Sequence, residues 1–166
     1  MKRRSGFTVA LVAAAAGVVA AFAGTSSADH PGSQTLTFVE RNNQARFEFV
    51  DNRPRSRKRG EPSVSAGDML LISNALYNAA NTRREGRLFA KCTAVLGARR
   101  FERATFLCEL TARLSNGTLV GSLRSKGIAT GGAVIGGTGA YEGASGSFSL
   151  ELRRRTSVDT FHFDTD

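Results

Sequence analysis

The chain has 166 residues, a length that fits one domain or at most two small ones. Aromatic residues make up 8% of the chain and charged residues 22%, a mixture that collagens, coiled coils and fully disordered proteins do not have. The net charge is +9, and two His and two Cys are too few for a His-rich metal site or a four-cysteine zinc site. Composition therefore predicts a basic, soluble, β-rich protein and no particular chemistry.

Residues 1–28 have the features of a secretory signal peptide. A basic start is followed by an uncharged, Ala- and Val-rich stretch over residues 7–23, and a small-residue cleavage site ends at Ala28. A second such site ends at Ala23, and an uncleaved membrane anchor is the alternative interpretation. We expect cleavage after Ala28, which leaves residues 29–166 as a single secreted domain with no stable membrane span.

Hydrophobic residues in the remaining chain recur with a period of two, which is typical of strands with one buried face. Turn signals such as Asn42-Asn43 and Asn116-Gly117 separate the alternating segments, and no long helical pattern appears. The alternation predicts an antiparallel all-β barrel or sandwich. Its expected strands lie at residues 35–40, 46–50, 69–77, 87–96, 104–114, 119–123, 147–153 and 158–163.

A basic loop follows the second expected strand, because residues 53–59 contain four Arg and one Lys next to prolines. Such a loop can contact an anionic polymer, a lipid headgroup or a nucleic acid, or it can simply be solvated. Nucleic-acid binding usually adds exposed aromatic rings, whereas the Phe residues here mostly fall on core-like faces. We therefore expect no nucleic-acid partner.

A glycine-rich segment lies between the sixth and seventh expected strands, over residues 131–146. Glycine inside a strand marks bulges, sharp bends or close approach of another backbone. The segment fits a strand, a tight turn and a returning strand. The expected turn residues are Gly136, Gly137, Thr138 and Gly139.

Cys92 and Cys108 lie symmetrically about the turn between two expected strands. In a symmetric antiparallel hairpin they face each other directly, at the near limit of the separation that a disulfide allows. A structural disulfide is one interpretation. A buried free thiol that lines a cavity is the other.

Two polar residues share apparently inward faces with apolar neighbours. Glu40 follows Leu36 and Phe38 in the same alternation, and Asn74 lies between Ile72 and Leu76. Buried polar groups cost stability unless they are paired, so both are candidate functional residues. The alternatives are that Glu40 reaches water at a barrel end and that Asn74 satisfies a bulge.

Several motifs resemble plant allene oxide cyclases. The resemblance runs from about Leu36 to Leu152, and dirigent proteins carry a related Gly-Gly-Thr-Gly turn. Its first half rests on Gly67-Asp68, Ser73-Asn74-Ala75-Leu76-Tyr77, Gly86-Arg87 and Cys92. Its second half rests on Val134-Ile135-Gly136-Gly137-Thr138-Gly139-Ala140-Tyr141-Glu142-Gly143 with Gly146.

This resemblance implies an eight-stranded antiparallel barrel with an apolar cavity, often trimeric, that works without a cofactor. Asn74 matches the cyclase Asn that helps to hold a water against the substrate oxygen, and Cys92 matches a cavity Cys. Glu40 is the nearest match to a Glu that stabilises developing positive charge. The cyclase cavity Tyr is missing, since Leu123 and Arg124 lie near its position, and the Asp of dirigent proteins is also absent.

The resulting expectation is a secreted barrel that binds a small hydrophobic or phenolic ligand and steers its cyclisation or stereoselective coupling, as a cofactor-free isomerase would. Asn74 and Glu40 are the expected catalytic residues. Tyr77 and Phe106 are expected to line the cavity with Asn74 and Cys92. The alternative is a non-enzymatic ligand carrier, or a surface-interaction module that uses the basic loop.

Overall fold

A computed structural model describes residues 32–52, 64–127 and 130–165. The expected signal peptide, residues 1–28, and the basic loop, residues 53–59, lie outside the described residues. Within the described ranges, no helix combines the length and the apolar character needed to cross a lipid bilayer.

The described chain is built almost entirely of strands. Two single turns of 3-10 helix interrupt them, at Asn42–Gln44 and Phe101–Arg103. The strands are β1 (Gln34–Arg41), β2 (Arg46–Val50), β3 (Met69–Asn78), β4 (Arg84–Leu96), β5 (Thr105–Leu114), β6 (Gly117–Lys126), β7 (Gly131–Gly139), β8 (Ser145–Leu152) and β9 (Thr156–Asp164).

Eight of these strands form a closed antiparallel barrel. Neighbours in sequence pair from β3 through to β9, and β1 then pairs with β9 on one side and β3 on the other. The 3-10 turn after β1 interrupts the strand, and β2 continues along the rest of β3. The expected all-β, eight-stranded barrel is confirmed, with β2 as an extension beyond its wall.

The barrel interior is packed with apolar side chains contributed by alternate residues of each strand. Large aromatic rings dominate the part formed by β1, β8 and β9, where Phe38 and Phe148 both contact Phe161. The most completely buried large side chains are Phe106, Phe161, Phe163, Leu76, Leu119 and Asp68.

The two cysteines form a disulfide, which confirms the first of the two interpretations above. Cys92 of β4 is directly opposite Cys108 of β5, with their Cα atoms 3.9 Å apart. The alternative, a free thiol lining a cavity, is wrong. The bond closes the hairpin from inside the barrel, since both residues are buried.

The second strand departs from the expected core-like placement of the Phe residues. Phe47 and Phe49 pair with Ile72 and Leu70, so they lie on the face of the sheet that continues the barrel interior. Phe47 is nevertheless 65% exposed and Phe49 39%. β2 lies beyond the point where β1 leaves β3, and among the described strands it pairs with β3 alone.

The glycine-rich segment forms a strand, a turn and a returning strand, as expected. Gly136, Gly137, Thr138 and Gly139, however, are the last four residues of β7, and the turn follows at residues 140–144. The ladder with β6 extends to Gly139, whose φ of +64° favours glycine. A Cβ at Gly137 would collide with the carbonyl oxygen of Tyr141, so the turn packs directly against this strand.

Candidate functional site

Glu40 is enclosed by the barrel wall. It is the seventh residue of β1 and lies directly opposite Leu76 of β3 and Ser157 of β9. The residue is only 6% exposed. The alternation that placed Glu40 on the face of Phe38 therefore carries its carboxyl group inward.

A second carboxylic acid lies beside it. Asp159 of β9 is directly opposite Phe38 and one step diagonal to Glu40, and it is 4% exposed. The two carboxyl groups interact as hydrogen-bonding partners, and Glu40 has a second such partner in Asn74. We call Glu40 and Asp159 the acid pair.

The acid pair differs from the other deeply buried acid, Asp68. Both carboxylate oxygens of Asp68 accept backbone N–H groups, from Asn52 and Ser65, each at 2.8 Å. In contrast, Oδ2 of Asp159 is buried and no N–H or hydroxyl group among the described residues donates to it. Asp68 therefore has a satisfied structural role, whereas the hydrogen-bonding partner of Asp159 is another carboxyl group, that of Glu40.

Burial governs the electrostatics of the acid pair. It raises the pKa of Glu40, an effect that the hydrogen bonds from Asp159 and Asn74 oppose. It raises the pKa of Asp159 well above its ordinary value, and the charge and hydrogen bond of Glu40 raise it further. Because the negative charge of one carboxyl group disfavours ionisation of the other, the second group of the pair loses its proton less readily than the first.

Asn74 lies where the first strand is interrupted. The pairing of β3 with β1 stops at Leu76, and its pairing with β2 starts at Ser73. The side-chain oxygen of Asn74 accepts the backbone N–H of Ala75 at 2.9 Å, so this end of the amide is used locally. The other end is directed to Glu40. Asn74 therefore satisfies the backbone at an irregularity and also contacts the acid pair.

The remaining expected cavity residues are on other parts of the barrel. Phe106 is buried on β5 with its ring centroid 5.0 Å from that of Phe101, and Cys92 is bound in the disulfide on β4. In the strand order, β5 lies across the barrel from β9, whereas β4 is separated from β1 by β3. Phe106 therefore belongs to the opposite wall, and the sulfur of Cys92 is not a free thiol.

Tyr77 is separated from the acid pair. It lies opposite Val39, so it is on the other face of β3 from Leu76. Its hydroxyl donates to Oε1 of Gln44 at 3.0 Å, and the Arg41 guanidinium lies 3.8 Å from the ring centroid. These contacts do not fit the expected place of Tyr77 in the cavity. Strand alternation directs its ring outward instead.

A groove on the outer side of β2 to β5 is an alternative concave surface, and four of its polar side chains are paired with one another. The ammonium of Lys91 is 2.9 Å from the carboxylate of Glu109, and Arg87 donates to the Ser73 hydroxyl at 2.8 Å. The interior acid pair is the stronger candidate site, because it is buried and no buried cation among the described residues accompanies it.

Known proteins resemble this chain in fold. No protein-family model matches this chain, and no curated protein matches it in sequence. A solved structure described as pyocyanin demethylase is 19% identical over 78% of this chain and 98% of its own, with a TM-score of 0.57.

Two further matches are cyclases. One is described as a nonspecific heme-binding cyclase that catalyses a 4 + 2 cycloaddition in neoabyssomicin biosynthesis. It is 11% identical over 81% of this chain and 67% of its own, with a TM-score of 0.59. The Diels–Alderase AbmU from Streptomyces koyangensis is 11% identical over 78% of this chain and 63% of its own, with a TM-score of 0.52.

These likenesses show that the chain has a β-barrel fold that known cyclases also have. They confirm the barrel that the sequence motifs implied, and membership of the allene oxide cyclase family stays a prediction. Because identities this low carry no residue roles, the function has to be argued from the chain's own interior.

Proposed function

We propose that this protein binds a small apolar or aromatic molecule inside its barrel and steers the cyclisation or coupling of that molecule. The observation that carries the proposal is the buried group of Glu40, Asp159 and Asn74 in a mainly apolar and aromatic interior. Ligand sites typically combine apolar walls with a few convergent polar groups that set orientation. The barrel fold shared with cyclases supports the same reaction class.

Ring closure suits such an interior, because it rearranges bonds within one molecule and needs no co-reactant. Apolar walls hold the flexible substrate in one reactive conformer and exclude water. A carboxylate of the acid pair stabilises positive charge that develops in the transition state, and we assign this role to Glu40. Asn74 positions Glu40 and offers its amide N–H to a substrate oxygen.

Export forms part of the proposal. The amino-terminal residues 1–28 have the features of a signal peptide, and the Cys92–Cys108 disulfide is compatible with an oxidising compartment. A secreted barrel of this kind would meet its hydrophobic or phenolic ligand outside the cytoplasm.

The proposal is tested on a reaction that already occurs slowly in water. Linear trienes that undergo intramolecular 4 + 2 cyclisation would be incubated with the purified protein, and the enantiomeric excess of the product measured by chiral chromatography. We expect an excess with the wild type, and a racemic product formed on the order of a hundredfold more slowly with Glu40→Gln.

Glu109→Gln is the matched control, because Glu109 is an exposed Glu on the outer side of β5. It should behave as the wild type. A racemic product from wild-type protein that binds the trienes would contradict steering. That result would favour the non-enzymatic alternatives, a ligand carrier or a surface-interaction module that uses residues 53–59.

A further inference from the structure

β2 has an open edge, which sets it apart from the other described strands. Each of those strands pairs with a neighbour on both sides, whereas β2 pairs with β3 alone. No backbone hydrogen bond joins residues 46–48 to any described segment other than β3. Backbone N–H and C=O groups along an open edge can pair with a strand of another chain. The five residues of β2 include no proline or glycine that would weaken such pairing.

The side chains of β2 are exposed on both faces of the strand. Arg46 and Glu48 line the groove on the outer side of the sheet, and Phe47 between them is 65% exposed on the opposite face. Lys91 and Glu109 of the same groove form an ion pair, but neither Arg46 nor Glu48 has an ion-pair partner among the described residues. The strand therefore offers a partner one apolar contact and two ion pairs.

The order of these residues makes β2 complementary to a second copy of itself. Two identical strands related by a two-fold axis run antiparallel, and residues that are paired across them share a face. When Phe47 lies opposite Phe47 of the second copy, Arg46 of each chain lies opposite Glu48 of the other. The outer face then has two ion pairs between the copies, and the opposite face has a contact between two rings.

Charge selects this register over its neighbours. A ladder centred on Glu48 places two carboxylates opposite each other, and a ladder centred on Arg46 does the same with two guanidiniums. Like charges directly opposite each other destabilise a strand pair. Of the registers that two copies of β2 can adopt, the one centred on Phe47 brings opposite charges together.

We propose that two copies of this protein pair through the open edges of β2, antiparallel and centred on Phe47. The pairing joins the two barrels in one continuous sheet through β3 of each copy. It uses both open edges, so it closes at a dimer, in contrast to the trimer that the family resemblance implies. This inference is independent of the proposed function, because it requires no ligand in either barrel.

The dimer is weak and reversible. A ladder of five residues a side is much smaller than a standard interface of about 20–30 residues a side, and exposed ion pairs contribute little each. The net charge of +9 adds a repulsion that salt reduces. We expect a dissociation constant on the order of 100 μM, so the chain is monomeric at the micromolar concentrations of an unfolding experiment.

Charge reversal in β2 tests this dimer. Sedimentation velocity would be measured on protein purified after expression of the full chain, at about 0.5 mM protein and about 0.15 M salt. We expect the wild type to be mainly dimeric. Arg46→Glu alone and Glu48→Arg alone should each raise the dissociation constant at least about tenfold, because each places like charges opposite each other twice.

Mixing the two single variants gives the sharper result. In a mixed dimer of Arg46→Glu with Glu48→Arg, opposite charges again lie opposite each other at both positions. We expect an equimolar mixture to recover dimers, with a dissociation constant within about threefold of the wild type. Both substitutions in one chain should recover them as well. Arg113→Glu is the control, because Arg113 is exposed on the outer side of β5, and it should leave association unchanged.

Three results would overturn the proposal. The first is a wild type that is monomeric at about 0.5 mM. The second is a dimer that both single reversals leave unchanged, which would place association elsewhere on the chain. The third is a mixture of the two variants that stays monomeric although circular dichroism shows both to be folded. None of these results bears on ligand binding inside the barrel, so the proposed function would be left standing.

Discussion

β1 and β2 are two parts of one interrupted strand, and they differ in how far they bury the side chains of the face that they share. In β1 the carboxyl-bearing Glu40 is 6% exposed, whereas in β2 the phenyl-bearing Phe47 is 65% exposed. Both strands run antiparallel along β3, and both side chains lie on the face that continues the barrel interior. The difference is that β1 also pairs with β9, which closes the wall around Glu40.

This comparison teaches that closure of the barrel, and not the hydrophobicity of the side chain, decides burial along this strand. A carboxyl group held inside against its solvation preference costs folding free energy. Proteins keep such violations of the usual pattern mainly at functional sites. The burial of the acid pair therefore supports the role proposed for it in function.

The largest effect that the comparison predicts is at Phe38, the aromatic residue of β1. Phe38 is 6% exposed and contacts Phe161, so Phe38→Ala removes a ring from a closed, packed wall. We expect it to lower the free energy of unfolding by about 3–5 kcal/mol. Urea denaturation followed by circular dichroism measures this loss. A loss below about 1 kcal/mol would mean that the wall around β1 is not packed as described.

The next effect concerns Asp159 and depends on pH. Because its pKa is raised in the folded protein, the folded state binds more protons than the unfolded state above about pH 4. The wild type should therefore lose stability as the pH rises through the raised pKa, while Asp159→Asn lacks this loss. Above the raised pKa, the variant should be more stable relative to the wild type by about 1.4 kcal/mol for each tenfold by which folding strengthens proton binding at Asp159.

Thermal or urea unfolding of both proteins from acidic to mildly alkaline pH gives the comparison directly. Asp164→Asn, an exposed acid on the same strand, should follow the wild type throughout. A stability difference between Asp159→Asn and the wild type that stays constant with pH would show that the pair does not hold a proton.

Much of this arrangement is predictable from local alternation. The spacing of Cys92 and Cys108 about their turn predicts their pairing, and the face shared with Phe38 predicts an inward Glu40. Asp159 is on the face of Phe161 and Phe163, so the same alternation within β9 could have identified it. Its meeting with Glu40, however, depends on pairing between the first and last strands.

Local patterns carry no information about such closure, because alternation is the same whether or not a second wall covers the strand. For this reason the sequence predicts a core-like face for Phe47, which the structure exposes. Tyr77 shows the same limit, since the motif that includes Asn74 cannot tell which of its residues faces the interior. The register of β3 with β1 decides which of these residues faces the interior.

The smallest predicted effect is the counterpart of the first. Phe47→Ala removes the same side chain as Phe38→Ala, but from a ring that is already 65% exposed. We expect the free energy of unfolding to change by no more than about 0.5 kcal/mol, measured in the same urea titrations.

Equal losses of stability from the two substitutions would show that β2 is covered as completely as β1. Pairing with β9 would then not explain which side chains of the interrupted strand are buried. A small loss at Phe47 beside a large loss at Phe38 would identify pairing with β9 as the event that encloses Glu40.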